Sequence, residues 1–185
     1  MNKKKIRKKI LKVLQIPINI MPKIILNTIW DVTSTSESLG AILYRYLYSK
    51  KYAKYIGDNV FIGKYVTLKN MKNLSVGNNV SIHAYNYIDA YGDITIQDNV
   101  SIANHCTIIS SDHTWDDRDT PIKYNKVLKK PILIKEDVWV AAGVRILGNT
   151  VIEKRNVIGA GAVLNKSTEK NGLYVGVPIK KIKEI

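Results

Sequence analysis

The sequence predicts an all-β fold, a three-sided parallel β-helix, with an α-helical segment ahead of it. Three observations carry this. Every sixth residue from Ile56 is aliphatic: Ile56, Ile62, Leu68, Val76, Ile82, Ile88, Ile96, Ile102 and Ile108, then Ile134, Val140, Ile146, Ile152, Ile158 and Leu164. The register slips by two after Leu68 and after Ile88, and by one long insertion after Ile108. Four residues further on, small or β-branched side chains recur as Val60, Val66, Val80, Val100, Cys106, Val138, Val144, Thr150, Ala162 and Thr168. Turn-forming pairs (Asp58-Asn59, Asn78-Asn79, Asp98-Asn99) fall between the aliphatics. A helix would space its apolar residues three and four apart, and alternating strands would not hold a period of six. Each triplet of hexapeptides therefore makes one coil, and stacked coils bury continuous aliphatic ladders.

Residues 1–55 come first. They hold most of the net charge of +14, with Asp31 and Glu37 as their only acids. A first amphipathic helix is expected over residues 3–15, with Ile6, Ile10, Val13 and Leu14 on one face. A second is expected from about 35 to 52, opened by a Ser34/Glu37 capping box and carrying Leu39, Ile42, Leu43, Tyr46 and Leu47 as its apolar stripe. The basic, Ile- and Leu-rich residues 1–30 suit peripheral contact with a membrane surface; the alternative is that both helices cap the open end of the coil. No apolar run approaches the roughly 20 residues of a span. No small-residue cleavage site follows the basic start. The segment thus reads as retained and non-spanning, in a cytoplasmic protein that touches the inner face of the membrane. No nucleic-acid reader module accompanies the basicity, so nucleic acid is not an expected partner. With Cys106 as the lone cysteine, no intrachain disulfide forms.

Residues 56–168 form the β-helix domain and residues 169–185 a C-terminal tail. The run IISSDHTWDDRDTPIKYNKVLKKPILI interrupts the rhythm with acids, bases, two prolines and His113. A stacked coil tolerates such a run only as an excursion from a corner, so an extended loop is expected over 113–131.

The repeat, this insertion and the ending GVPIKKIKEI resemble the hexapeptide-repeat acyltransferase family, in particular its galactoside and maltose acetyltransferases and polysaccharide O-acetyltransferases. The resemblance spans about residues 56–185. It implies a left-handed β-helix, a homotrimer, acetyl-coenzyme A as co-substrate with no metal, and a sugar or glycan acceptor. NVSIANHCTIISSDH matches in length the family segment that ends in the catalytic histidine, which gives that role to His113. The chemistry suits the residue type. Acetyl transfer to a hydroxyl needs a base near neutrality, where the ordinary histidine pKa of about 6.5 lies. Taken alone, His113 would be an ordinary solvated loop histidine.

VWVAAGVRIL resembles the stretch that borders the pantetheine arm. It implies contact through Trp139 and an oxyanion-facing backbone N–H at Ala142. In NVIGAGAVLNK, the run around Ala160 lets a pantetheine arm approach closely, and Asn165 and Lys166 match a pair near the 3′-phosphate. Lys180 and Lys183 stand where arginines commonly meet the nucleotide, keeping the charge without the planar fork. The acceptor positions are held by His83 and Tyr91, with Asp89 close by, a departure that points away from galactoside or maltose. Of Asp112, Asp116, Asp117 and Asp119, one could orient the His113 ring, or all are solvated loop charges. His105 reads as surface and Cys106 as packing. The γ-carbonic anhydrases, which share this repeat, bind zinc through three histidines, two of them five apart; the separations of 22 and 8 residues here do not match that pattern, so zinc is not expected.

The resulting expectation is an acetyl-coenzyme A-dependent O-acetyltransferase of a sugar hydroxyl, in surface polysaccharide biosynthesis, with His113 as base. The alternatives are an N-acetyltransferase of a nucleotide-linked amino sugar and a non-catalytic β-helix scaffold.

Overall fold

A computed structural model describes residues 3–185. From Tyr55 onward the chain winds into a three-sided parallel β-solenoid of short strands. The first face stacks Tyr55–Ile56, Leu74–Val76, Ile94–Ile96, Ile132–Ile134 and Val151–Ile152. The second stacks Phe61–Ile62, Ser81–Ile82, Ser101–Ile102, Val138–Val140, Asn156–Ile158 and Gly172–Val175, and Lys180–Glu184 closes it antiparallel. The third stacks Thr67–Lys69, Tyr87–Asp89, Thr107–Ile109, Arg145–Ile146 and Val163–Leu164. The tail thus adds a sixth strand to one face, because Leu173 and Tyr174 continue the register of Val157 and Ile158.

The aliphatic ladders lie inside as the period predicts. All the sixth-residue aliphatics are buried except Leu68, which is half-buried against the core. The smaller set four residues on is buried throughout. Corner geometry explains the polar residues between them. The third residue after an inward aliphatic adopts positive φ at Asn59, Tyr65, Asn79, Tyr85, Asn99, His105, Asp137, Asn149 and Arg155. Asparagine and aspartate tolerate this left-handed region best. At the corner between the first and second faces they also form an amide ladder. The Nδ2 of Asn59 donates to Asn79 Oδ1 at 3.1 Å, and that of Asn79 to Asn99 Oδ1 at 3.0 Å.

Both register slips and the long insertion leave the solenoid at one edge, the corner between the third and first faces. A single 3-10 turn, Met71–Asn73, takes up the first slip. The repeats therefore stay in step on the other two corners.

Three helices precede the solenoid: α1 (Lys3–Ile20), α2 (Lys23–Thr33) and α3 (Leu39–Tyr52). The sequence had suggested two. The 11-residue α2 is the unexpected one: it is short and opens at Pro22 without a capping side chain to mark its start. The capping-box reading is also corrected. Ser34 ends α2, its Oγ donating to Asp31 O at 2.7 Å. Ser38 is the N-cap of α3, accepting from Ala41 N at 3.3 Å.

α2 and α3 cover the open end of the core. Leu26 and Leu47 are buried within it. Buried Arg45 donates from Nε to Ile62 O (2.8 Å) and from Nη1 to Thr33 O (2.9 Å) and Ser36 O (3.0 Å), so it ties helix, connector and first coil together. No single helix among the described residues is long and apolar enough to cross a membrane.

Candidate active site

His113 ends the strand Ser111–His113, which pairs antiparallel with Val127–Lys129 in a hairpin rising from the third corner. Thr114 N donates to Lys126 O at 2.9 Å and extends the pairing beyond it. Asp112 accepts from Lys130 Nζ at 2.9 Å across the base of the hairpin. That bond is the main reason its carboxyl lies below the usual range.

The loop beyond is braced from within by buried Asn125. Its Nδ2 donates to Thr120 O (2.8 Å) and Asp117 O (3.2 Å), and its Oδ1 accepts from Asp117 N (3.1 Å). Asp117 itself accepts from Asp119 N at 3.0 Å. Asp112 and Asp117 are thus engaged elsewhere, and among the described residues no carboxylate bonds the His113 ring. The imidazole is exposed, and the same insertion carries exposed Trp115 and Tyr124.

Three of the predicted cofactor residues gather on another edge. Trp139 lies mid-strand on the second face and is 52% exposed, between Ser101 and Val157. Ala142 and Ala160 sit one coil apart at the corner between the second and third faces. Gly161 N donates to Ala142 O there at 2.9 Å. The N–H of Ala142 donates to no group among the described residues and is free to meet a ligand oxygen. Gly143 and Gly161 occupy the positive-φ positions of this corner, at φ +72 and +68. With no side chain at either, and open space beside Gly161, the backbone of this corner is open to close approach.

Below these glycines the same corner carries an aromatic column. Tyr65 stacks on Tyr85 at 4.8 Å and Tyr85 on His105 at 4.7 Å, with the rings nearly parallel. Arg145 Nη1 donates to His105 O (2.7 Å) and Gly143 O (3.0 Å) where the column meets the glycines. His105 is exposed, as expected, but it is the end of a stack and not an isolated surface residue. The 20-residue spacing of Tyr65 and Tyr85 was the readable signal for it. His83 lies on this corner too, exposed and packed on Phe61 at 5.6 Å.

Asp89 and Tyr91 lie instead at the third corner, with the hairpin. Asp89 accepts from Asn70 Nδ2 at 2.6 Å, and Lys129 Nζ lies 5.9 Å from the Tyr91 ring. Asn165 and Lys166 follow the third face on the top coil, exposed. Lys180 and Lys183 are exposed on the closing strand, while Lys181 between them pairs with Glu169 at 3.0 Å. Cys106 is buried inside the coil, where burial pushes its thiol pKa up. No cluster of metal-ligating side chains exists among the described residues.

Within one chain the predicted residues therefore form two groups. His113, Asp89 and Tyr91 occupy the third corner; His83, Trp139, Ala142 and Ala160 line the second face and its corner.

Residues 131–166 match the sequence profile of the bacterial transferase hexapeptide (six repeats) family. A probable acetyltransferase of Mycobacterium tuberculosis is 35% identical over 129 residues, which cover 69% of this chain and 43% of that protein. The galactoside O-acetyltransferase of Escherichia coli is 30% identical over 131 residues, 70% of this chain and 63% of its own. The chain thus spans less than two thirds of the length of either. A galactoside acetyltransferase solved in complex with coenzyme A superposes with a TM-score of 0.77 at 26% identity, covering 88% of this chain and 80% of that one. With the coil architecture and the hairpin in the expected place, these similarities establish that the chain belongs to the hexapeptide-repeat acetyltransferase family.

Proposed function

We propose that this protein is an acetyl-coenzyme A-dependent O-acetyltransferase that acts on a sugar hydroxyl as a homotrimer, in surface polysaccharide biosynthesis. The observation that carries the reading is the division of the site between two edges of one chain. His113 at one corner and the open glycine corner at the other become one site when a cyclic assembly sets the corner between the third and first faces of one copy against the corner between the second and third faces of the next. The similarity to galactoside O-acetyltransferases supports the acceptor class.

In such a site the acceptor is held by His83 of one chain and by Asp89 and Tyr91 of its neighbour. The thioester carbonyl oxygen points at the free N–H of Ala142. His113 takes the hydroxyl proton as the oxygen attacks the carbonyl carbon, and the developing oxyanion gains the Ala142 N–H. Collapse of the tetrahedral intermediate breaks the C–S bond, and the leaving thiolate receives the proton from the imidazolium. No enzyme nucleophile is needed, in keeping with the burial of Cys106. Trp139 and Ala160 border the pantetheine arm. Asn165, Lys166, Lys180 and Lys183 meet the nucleotide phosphates as hydrogen-bond donors and charges.

The test is incubation of the protein with labelled acetyl-coenzyme A and a panel of free sugars, nucleotide sugars and lipid-linked sugars. The expected product is an ester, released by mild alkali. An alkali-stable acetyl group on an amino sugar would instead assign N-acetylation. Absence of both transfer and coenzyme A binding would leave a scaffold.

A further inference from the structure

Helix α1 is mounted with its polar side inward. Arg7 Nη2 donates to Asn59 Oδ1 at 3.4 Å, Lys8 pairs with Asp58 at 2.6 Å, and Gln15 Nε2 donates to Leu47 O at 3.2 Å. Leu11 and Ile18 complete the docked face. The opposite face carries Ile10, Val13, Ile16 and Ile20, all exposed. A helix on a water-facing surface carries the reverse pattern. The apolar strip continues into α2, whose axis turns by 119° from that of α1. At the bend Ile20 is 80% exposed and Ile24 76%. Three bonds from Lys51 Nζ to the carbonyls of Ile18, Asn19 and Met21, at 2.8, 3.2 and 3.1 Å, lock this bend to α3. The strip is therefore a built surface rather than a frayed end.

We infer that the outward face of α1 and the α1–α2 bend dock on the surface of an anionic lipid bilayer. Charge selects this occupant. Exposed Lys9 and Lys12 flank the strip and make no ion pair among the described residues, Lys23 stands at the bend, and the sequence holds no acid before Asp31. A second copy of the same face would bring lysine against lysine with no carboxylate to answer it. An anionic headgroup layer answers all of them, while the isoleucines enter the headgroup–acyl boundary. The helices lie in the interface and do not span it, since neither is long and apolar enough. The active-site corners belong to the solenoid, so docking and catalysis use different surfaces.

Co-sedimentation of the full-length protein with phosphatidylglycerol-containing vesicles at low salt tests this, with pure phosphatidylcholine vesicles alongside. The protein should bind the anionic vesicles at least tenfold more tightly, and salt should weaken that binding. Val13→Glu with Ile20→Glu should abolish it. Lys9→Gln with Lys12→Gln should weaken it roughly fivefold per base removed. All four side chains are exposed, so the thermal midpoint without vesicles should not move. Equal or absent binding to the two vesicle types would overturn the inference. So would unchanged vesicle binding by Val13→Glu/Ile20→Glu, or a change in oligomeric state by that variant with vesicle binding intact, which would give the face to a second copy. The binding readout needs no acetyl transfer, so its failure and that of the catalytic reading are separable.

Discussion

At the scale of single residues, His113 is distinguished by its mounting and not by its ring's contacts. A short antiparallel pairing fixes its backbone, while its imidazole is exposed. His113→Ala should lower turnover by roughly 10² to 10⁴, the usual contribution of a general base, with coenzyme A binding kept. Wild-type turnover in that variant would remove the assignment. The Asp112–Lys130 pair makes a separate prediction. Lys130 holds the Asp112 carboxyl below its ordinary value of 3.8, so the pair's contribution is complete above that pH and is lost as pH falls through the lower folded value. Hydrogen exchange of the hairpin amides should therefore accelerate more steeply below pH 3.8 than that of the coils. In Lys130→Met the extra acid sensitivity should vanish; its persistence would place the sensitivity elsewhere. The place of His113 at the start of the insertion was legible, and its proposed role rests on the family resemblance of the segment that ends in it. That no carboxylate orients His113 was not legible, because the partners of Asp112 and Asp117 are set by how the loop folds back on itself.

At the scale of elements, the corners matter more than the strands. Asn86 sits at an inward position where the period calls for a small apolar residue, and it is buried. Its Nδ2 donates to His83 O (2.7 Å) and Ala103 O (2.9 Å), and its Oδ1 accepts from Cys106 N (2.8 Å). This one side chain stitches together the second and third coils beneath His83. Asn156 does the same near the top, through Thr168 Oγ1, Glu169 O and Gly172 N. Neither was legible, because an asparagine in a hexapeptide reads as a turn residue whether it faces solvent or the core. Asn86→Ala would leave buried Cys106 N and the partly buried carbonyls of His83 and Ala103 without this partner, and should cost about 2 kcal/mol or more in urea unfolding. A loss below about 1 kcal/mol would show that the backbone relaxes around the gap. The helical cap teaches a similar lesson. Ser34 and Glu37 have the spacing of a capping box, yet α2 ends at Ser34, and the next serine with a free backbone turn, Ser38, opens α3.

At the scale of the whole molecule, the division of the site makes the assembly testable. His113→Ala and Trp139→Ala subunits, each impaired alone, should regain activity when mixed and reassembled, since some interfaces then pair two intact halves. Random assortment in a cyclic trimer would restore about a quarter of the sites. Activity no greater than the mean of the parents, or a fully active monomer in sedimentation, would sink the between-chain site.

The sequence by itself determined the solenoid, its coil boundaries, the inward ladders and the place of the hairpin. Each of those depends on contacts between residues about one coil apart, and a fixed period repeats the same contact along the chain. Only the tertiary structure decided how α1 is turned, which corner each predicted site residue occupies, and which asparagines are buried. A helical wheel shows that Ile10 and Val13 share a face but not which way it points. That choice was made by Asp58, Asn59 and Leu47, residues far along the chain, whose polar groups captured Lys8, Arg7 and Gln15 and turned the isoleucines outward.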